Sequence, residues 1–438
     1  MSTPEIAALP AGRPAPPLAA PALTVRSVRV PDPGVALIDL LPDPDGFSWV
    51  RRGEGLVAWG RAAGFDGDGP DRFTAATSWW ADVVNRTVVR DRVGRRGSGL
   101  VGLGSFAFAD DAAAAGSTGR SVLIVPEVVI GHRDGTWWVT TVAAHGRRLP
   151  QAPLLAAAQD VSSPGALSFA DGALTSGQWE GIVAATVTRI AAGAADKVVL
   201  ARALDVHAEH PIDARWALRR LAGYYPSCYT YAVDGLIGAT PELLVRLDGR
   251  LATSRVLAGT IRRSGSPERD EARAGSLSRS SKDLEEHEYA VASVASALAP
   301  YCTAINVPES PFVLHLPNVM HLATEITGVV ADGATALTLI AALHPTAAVC
   351  GTPREAAAAT IAELEGMNRE RYAGPVGWLS GNGDGEWGIA LRGGQLNRTD
   401  PRRIRLIAGC GIVAGSNPVE ELAESNAKLV PMRDALAD

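Results

Sequence analysis

Of the 41 lysines and arginines in this 438-residue chain, only Lys197, Lys282 and Lys428 are lysine. Arginine serves any need for a fixed positive charge, because its guanidinium keeps its protons near neutral pH, whereas a desolvated lysine ammonium can release one. A GC-rich coding bias, which fits the abundant Ala, Gly and Arg, would convert idle lysines to arginine, so the three that persist are candidates for chemistry. Two stretches add carboxylates at helical spacing, Asp283 with Glu286 and Glu421 with Glu424, each pair on one side of its helix. Such acids can simply be solvated near helix N-termini, where the dipole favours them. Four carboxylates from two distant helices can instead form a hard oxygen site for Mg²⁺ that leaves room for a substrate oxygen. The eight histidines show no ligand spacing with one another or with cysteine, which argues against zinc. Lys428 follows Glu424 by one helical turn, as a plain ion pair or as a charge that meets a substrate carboxylate beside a metal. Lys282, among acids in a first turn, reads as structural or solvated.

These residues sit in a chain that is 47% hydrophobic and 20% charged, with ample material for a large core. Length alone suggests two or three domains. A net charge of -6 without a basic cluster gives no reason to expect nucleic acid. Cys228, Cys302, Cys350 and Cys410 are far apart and read as small buried hydrophobes in a reducing compartment, so a cytoplasmic location is expected. Residues 1–25 are Ala/Pro-rich and read as a disordered tail, neither a secretory signal nor an anchor, and no later apolar run is long enough to span a membrane.

The elements that must position the candidates are legible mainly in the second half. The run "SGQWEGIVAATVTRIAAGA" has helical spacing, and "KVVLARALDV" is strand-like with Lys197 at its start. A helix over "DARWALRRLAGYY", a strand "SCYTYAVDG", a turn "GATPE" and a hairpin "LLVRLDGRLATS" turning on Asp-Gly follow. "SSKDLEEHEYAVASVASALA" opens with serine caps and early acids, and "NPVEELAESNAKLVPMRDAL" has Asn417 as cap and Pro418 at its first position. "GEWGIALRGGQL" and "RRIRLIAGCGIVAG" read as strands. In the first half, Arg133-Asp134-Gly135 divides two β-rich runs as a hairpin, and "GLVGLGSFAFA" reads as a closely packed strand rather than a dinucleotide loop. Residues 162–178 read as a loop-rich boundary or surface connection. Hairpins mixed with helices predict an α+β fold with antiparallel sheets.

Eight separated motifs, among them "KVVLAR", "GATPELLVRLDG", "LAGTIRR", "SSKDLEEHE", "HLATEITG", "LHPTAAVCGTPREAA" and "AGCGIVAGSNPVEELAESNAKL", occur in the order found in the chorismate-utilising enzymes. The chain most resembles the isochorismate synthases of that family over roughly residues 90–435, with the motifs concentrated in 190–435. The resemblance implies one catalytic domain over 26–438, α+β with two antiparallel β-sheets packed together and helices outside, in place of the length-based domain count. It implies that Lys197 is the base that activates water for attack at C2 of chorismate, and that Glu242 is the acid that protonates the departing C4 hydroxyl. Without the resemblance, Glu242 reads as an exposed turn acid after Pro241. The two roles make opposite demands: Lys197 must give up a proton near neutral pH and Glu242 must hold one, which a single enclosed pocket can arrange.

By the same resemblance Mg²⁺ is held by Glu286 and Glu424, with Asp283 and Glu421 assisting. The second substrate carboxylate meets Tyr372, Arg392 and backbone N–H groups around Gly409 and Gly411, with Lys428 adding charge. Gly259 and Thr260 line the ring pocket, and His321 lies near the reacting ring or is a satisfied buried histidine. Ala258 stands where aminodeoxychorismate synthases carry lysine, and Ala348 where salicylate synthases tend to carry threonine, which disfavours both activities. The remaining alternatives are a salicylate synthase that releases pyruvate and a chorismate-binding protein without turnover. Chorismate is the expected small-molecule partner of a monomer that needs no amidotransferase subunit. Menaquinone, catechol siderophore and salicylate biosynthesis are all open as the destination of the product.

Overall fold

The computed structural model describes residues 20–110, 120–153, 155–158, 161–317 and 319–438, with the side chain of Lys282 outside that description. Residues 1–19 of the expected tail lie outside it as well, whereas Leu23, Thr24 and Val25 open a strand, Leu23–Val30, with Leu23 and Val25 fully buried. The fold is α+β, with a 13-stranded and a 10-stranded sheet among the described residues. Both sheets draw strands from the first third of the chain and from its second half. Pairing is antiparallel except between Leu23–Val30 and Val88–Asp91, which run parallel. No helix among the described residues is long and apolar enough to cross a membrane.

One apolar cluster joins the inner faces of the two sheets: Trp49, Tyr229 and Tyr231 from the larger meet Leu103, Ile124 and Trp378 from the smaller. A second packs the helices Ala214–Tyr224 and Pro418–Leu436 on the larger sheet through Leu218, Leu221, Met432 and Leu436. Side chains such as Trp49, Trp138 and Trp378 are fully buried, and truncating one to Ala costs about 3–5 kcal/mol at such sites. The helices begin where the sequence places their caps. Thr175 forms a capping box with Gln178, Ser280 accepts from the Asp283 N–H, and Asn417 accepts from Val419 and Glu420.

The site depends on how the chain passes between sheets. Leu236–Thr240 pairs with Gly393–Leu396 in the larger sheet, Gly238 opposite Gly393. Leu243–Asp248 pairs with Gly385–Ile389 in the smaller one, Leu243 opposite Gly388. Two neighbouring strands therefore cross together, one at Pro241-Glu242 and the other at Ala390-Leu391-Arg392, as bends do where sheets share strands. Pro241 fits there because a crossing residue owes no N–H to a ladder. The "GATPE" segment is thus not a turn: Gly238–Thr240 belong to a strand and Pro241-Glu242 to the crossing.

Two other readings are refined and a third stands. Asp248 pairs with Leu251, so the hairpin turns on Gly249 and Arg250, with Gly249 at φ +60°. The 162–178 connection contains a strand, Leu167–Asp171, paired with the Lys197 strand. The Asp134-Gly135 hairpin stands as read, both residues at positive φ as a tight hairpin requires. Gly388 tests the crossing, because a Cβ there would lie 2.8 Å from the Glu242 carbonyl oxygen and 3.0 Å from both Thr240 and the Trp49 ring. Gly388→Ala is expected to lower unfolding stability by about 1–3 kcal/mol in urea titration, as overpacking does; an unchanged midpoint would show that the crossing yields freely.

Candidate active site

A cavity lies where the crossings, the Lys197 strand and the two acidic helices meet. Eleven of the sequence-derived residues line it: Glu242, Gly259, Thr260, Glu286, His321, Ala348, Tyr372, Arg392, Gly409, Gly411 and Lys428. Ala258 is part of the same wall. Lys197, Asp283, Glu421 and Glu424 are not in the lining: Lys197 is paired with Glu286, Asp283 packs against Gly259 and Glu424 is paired with Lys428, while Glu421 lies beside Glu424 and Cys410.

Glu242 is only 5% exposed, so its reading as an exposed turn acid fails. Burial pushes its carboxyl up to about 8, against the opposing pull of Lys197, Lys428 and Arg392 and of the Leu257 backbone hydrogen bond. The group holds its proton at neutral pH. Lys197, at the start of Lys197–Ala208, is fully buried with its Nζ 3.1 Å from Glu286 Oε1, in a geometry that gives an ion pair without a hydrogen bond. A Cβ on Gly411 would meet Glu286 Oε1 at 2.4 Å and Lys197 Cε at 2.8 Å, so the glycine gives this pair its room.

The far wall is cationic. Arg392 sits at the second crossing with φ 51°, a left-handed conformation uncommon for a side-chain-bearing residue, and burial lowers its pKa. Lys428 is 2.6 Å from Glu424 and donates to the Gly409 carbonyl at 2.9 Å. Burial opposes its charge, but Glu424 and Cys410 outweigh that and raise its pKa. The Tyr372 phenol is pushed up to about 12 by burial.

Ladder parity orients Gly409 and Gly411. Their partners Ala201 and Val199 turn away from this strand, since Val199 N–H donates to Cys350 and Ala201 N–H to Glu365. In an antiparallel pair both residues of a position face each other or face apart, so the N–H groups of Gly409 and Gly411 point away from the Lys197 strand as well. Gly259, at φ +75°, is the extra residue of a bulge: Ala258 pairs with Leu322 and Thr260 with His321.

Ligand atoms of Glu421, Glu424 and Cys410 lie within 4.8 Å of one another, while Asp283 and Glu286 lie outside that group. Asp283 packs against the Gly259 bulge, 3.1 Å from where a Cβ would stand. The carboxylates are hard donors suited to Mg²⁺. Burial raises the Cys410 thiol, which donates to the Glu421 carbonyl at 3.1 Å, so it offers no competing thiolate. Of the four expected carboxylates, Glu421 and Glu424 are the two brought together as hard donors of the kind Mg²⁺ takes.

Two structural devices escaped the sequence reading. Arg369 lines the cavity and is ion-paired with buried Glu365 while donating to Val349 and Val199 carbonyls at 2.8 and 2.6 Å, its guanidinium 4.3 Å from the Phe108 ring. In sequence it is one more helical Glu-to-Arg spacing, indistinguishable from a surface pair. Glu386 accepts from Trp49 Nε1 and the Tyr229 hydroxyl, each at 3.1 Å, and ties the first third to the sheet that carries the crossing. All four cysteines are free thiols, Cys302 half-buried and the others buried.

The family described as chorismate binding enzyme matches residues 44–437. The chain is 41% identical over 262 residues to the isochorismate synthase DhbC of Bacillus subtilis, covering 57% of this chain and 65% of that protein. It is 39% identical over 259 residues to the isochorismate synthase EntC of Escherichia coli, covering 58% and 66%. Each match thus spans slightly less than two thirds of the relative's length. In structure it resembles MenF, the menaquinone-specific isochorismate synthase of Escherichia coli, with TM-score 0.75, 25% identity and 95% of both chains covered.

The Glu242 carboxyl makes stability depend on pH with a definite sign. The folded carboxyl holds its proton up to about 8, well above the ordinary carboxylate range, so folding takes up a proton in between. That contribution is complete below the unfolded value and is lost as pH rises through the folded one. Stability of the wild type should decline between about pH 5 and about pH 9, and Glu242→Gln should flatten that slope in paired denaturation series; parallel slopes would assign the decline to other groups.

Proposed function

Because the chain belongs to the chorismate binding enzymes, we propose that it interconverts chorismate and isochorismate. The observation that carries this reading is a carboxyl kept protonated by burial, Glu242, in one cavity with the cationic groups Arg392 and Lys428, while the buried Lys197 is paired with the lining residue Glu286. The substrate is a dicarboxylate whose hydroxyl must leave with a proton. An acid that stays loaded at neutral pH and a wall of cations answer those two needs.

Lys197 takes a proton from a water that attacks ring carbon C2. The ring double bonds shift, the C4–oxygen bond breaks, and Glu242 supplies the proton with which that oxygen departs as water. Atoms balance as one water in and one water out, so the product is an isomer. Glu286 and Glu424, with Asp283 and Glu421 assisting directly or through water, would hold Mg²⁺, which would neutralise and orient the ring carboxylate. Arg392, Tyr372 and the N–H groups of Gly409 and Gly411 bind the other carboxylate, with Lys428 adding charge. Gly259 and Thr260 line the ring, and Ala348 leaves its position without a hydroxyl.

Water exchange separates this reaction from simple binding. In ¹⁸O-labelled water with Mg²⁺, the isochorismate formed should carry the label in its new hydroxyl without matching pyruvate; equimolar pyruvate and salicylate would make the protein a salicylate synthase, and no turnover would refute the assignment. Lys197→Ala and Glu242→Gln should each lower kcat by about 10²–10⁴-fold with the fold intact by circular dichroism. Chelation of Mg²⁺ should abolish turnover reversibly.

A further inference from the structure

His321 and Thr260 are Cα partners across two paired strands, brought side by side at the cavity wall by the Gly259 bulge. The His321 ring contacts one partner at each nitrogen: Nδ1 lies 3.0 Å from Thr260 Oγ1, and Nε2 lies 3.3 Å from an Arg392 guanidinium nitrogen. A guanidinium only donates, so Nε2 must present a lone pair. The ring is 4% exposed, and burial together with Arg392 and Lys428 holds its pKa well below the usual histidine value, so it is neutral. A neutral ring with a bare Nε2 carries its proton on Nδ1. That N–H makes the Thr260 hydroxyl oxygen an acceptor, whether or not it is shared with the nearby Gly259 backbone. The hydroxyl proton of Thr260 then has to go elsewhere, and the side chain lines the cavity.

We infer that His321 is a positioning residue: it orients the Arg392 guanidinium and, through its Nδ1–H, commits the Thr260 hydroxyl to donate into the cavity. The direction of the whole chain follows from the single member that cannot reverse, Arg392. This wall is therefore built for oxygens that only accept, a carboxylate or an ether, and disfavours a ligand group that donates there. Chorismate offers both kinds of acceptor, so the kinetic half of the inference rests on the proposed activity. The tautomer does not.

Full-length protein labelled with ¹⁵N-histidine tests the ring directly, with the His321→Gln variant identifying its signals by their loss. Two-bond nitrogen–proton correlation should give a neutral ring protonated at Nδ1 and bare at Nε2, unchanged from about pH 6 to about pH 8.5. A ring protonated at Nε2, or an imidazolium, overturns the inference. In steady-state kinetics with chorismate, His321→Leu and Thr260→Val should each raise KM about tenfold or more, the scale of a lost hydrogen bond to or through a charged group, with a smaller change in kcat. His321→Gln, whose amide oxygen can accept from Arg392, should recover most of the loss, and Thr260→Ser, which keeps the hydroxyl, should recover most of the loss seen in Thr260→Val. Equal impairment by Gln and Leu would sink the positioning role. A wild-type protein with the Nδ1–H ring but no turnover of chorismate would refute the activity and leave the ring assignment standing.

Discussion

A stretch of strand can belong to only one sheet at a time, and two neighbouring strands of this protein change sheets together. The residues at that change, Pro241-Glu242 on one strand and Ala390–Arg392 on the other, belong to neither sheet and lie at the seam between them. Their side chains enter a space walled by both sheets, where water is scarce. An acid placed there keeps its proton and a guanidinium loses part of its stabilisation, as Glu242 and Arg392 both do. Remove the shared bend and the cavity, its polarity and its burial vanish together.

The charges around the seam are matched with care. Lys197 has Glu286, Lys428 has Glu424 and Arg369 has Glu365, each pair largely out of water. Breaking such a pair typically costs about 3–5 kcal/mol because one charge stays buried. Arg392 is treated differently, since its hydrogen-bond partner is the neutral ring of His321. Its charge is held in place without being cancelled by the group that holds it, which is what an anion-binding cation requires.

Much of this was legible in the sequence because it depends on local rules. Serine and asparagine caps announce the helices that carry Asp283, Glu286, Glu421 and Glu424, and a valine-rich apolar run announces the strand that begins at Lys197. The resemblance to a family then supplied roles that spacing alone left open for Glu242 and His321. What stayed hidden is non-local. Nothing in "GATPE" says that the strand continues in another sheet, because a bend between sheets and a surface turn use the same residue types. The Glu365–Arg369 pair and the Glu386 anchor owe their roles to burial, which spacing does not report. The strand at Leu167–Asp171 is mostly exposed along its length, so it lacks the apolar alternation that would announce it.

The strand Arg403–Ile412 lies between Lys197–Ala208 and Gly393–Leu396, and the helix Pro418–Leu436 packs upon it. In a chain made from its N-terminus onward, the Lys197 strand is complete long before the neighbour that covers its edge has been synthesised. Gly409, Gly411, Glu421, Glu424 and Lys428 all arrive in that closing stretch. A nascent chain that still lacks this stretch has no complete wall with which to hold a ligand. The cavity is complete only when Arg403–Ile412 lies between its two neighbours and the helix packs upon it.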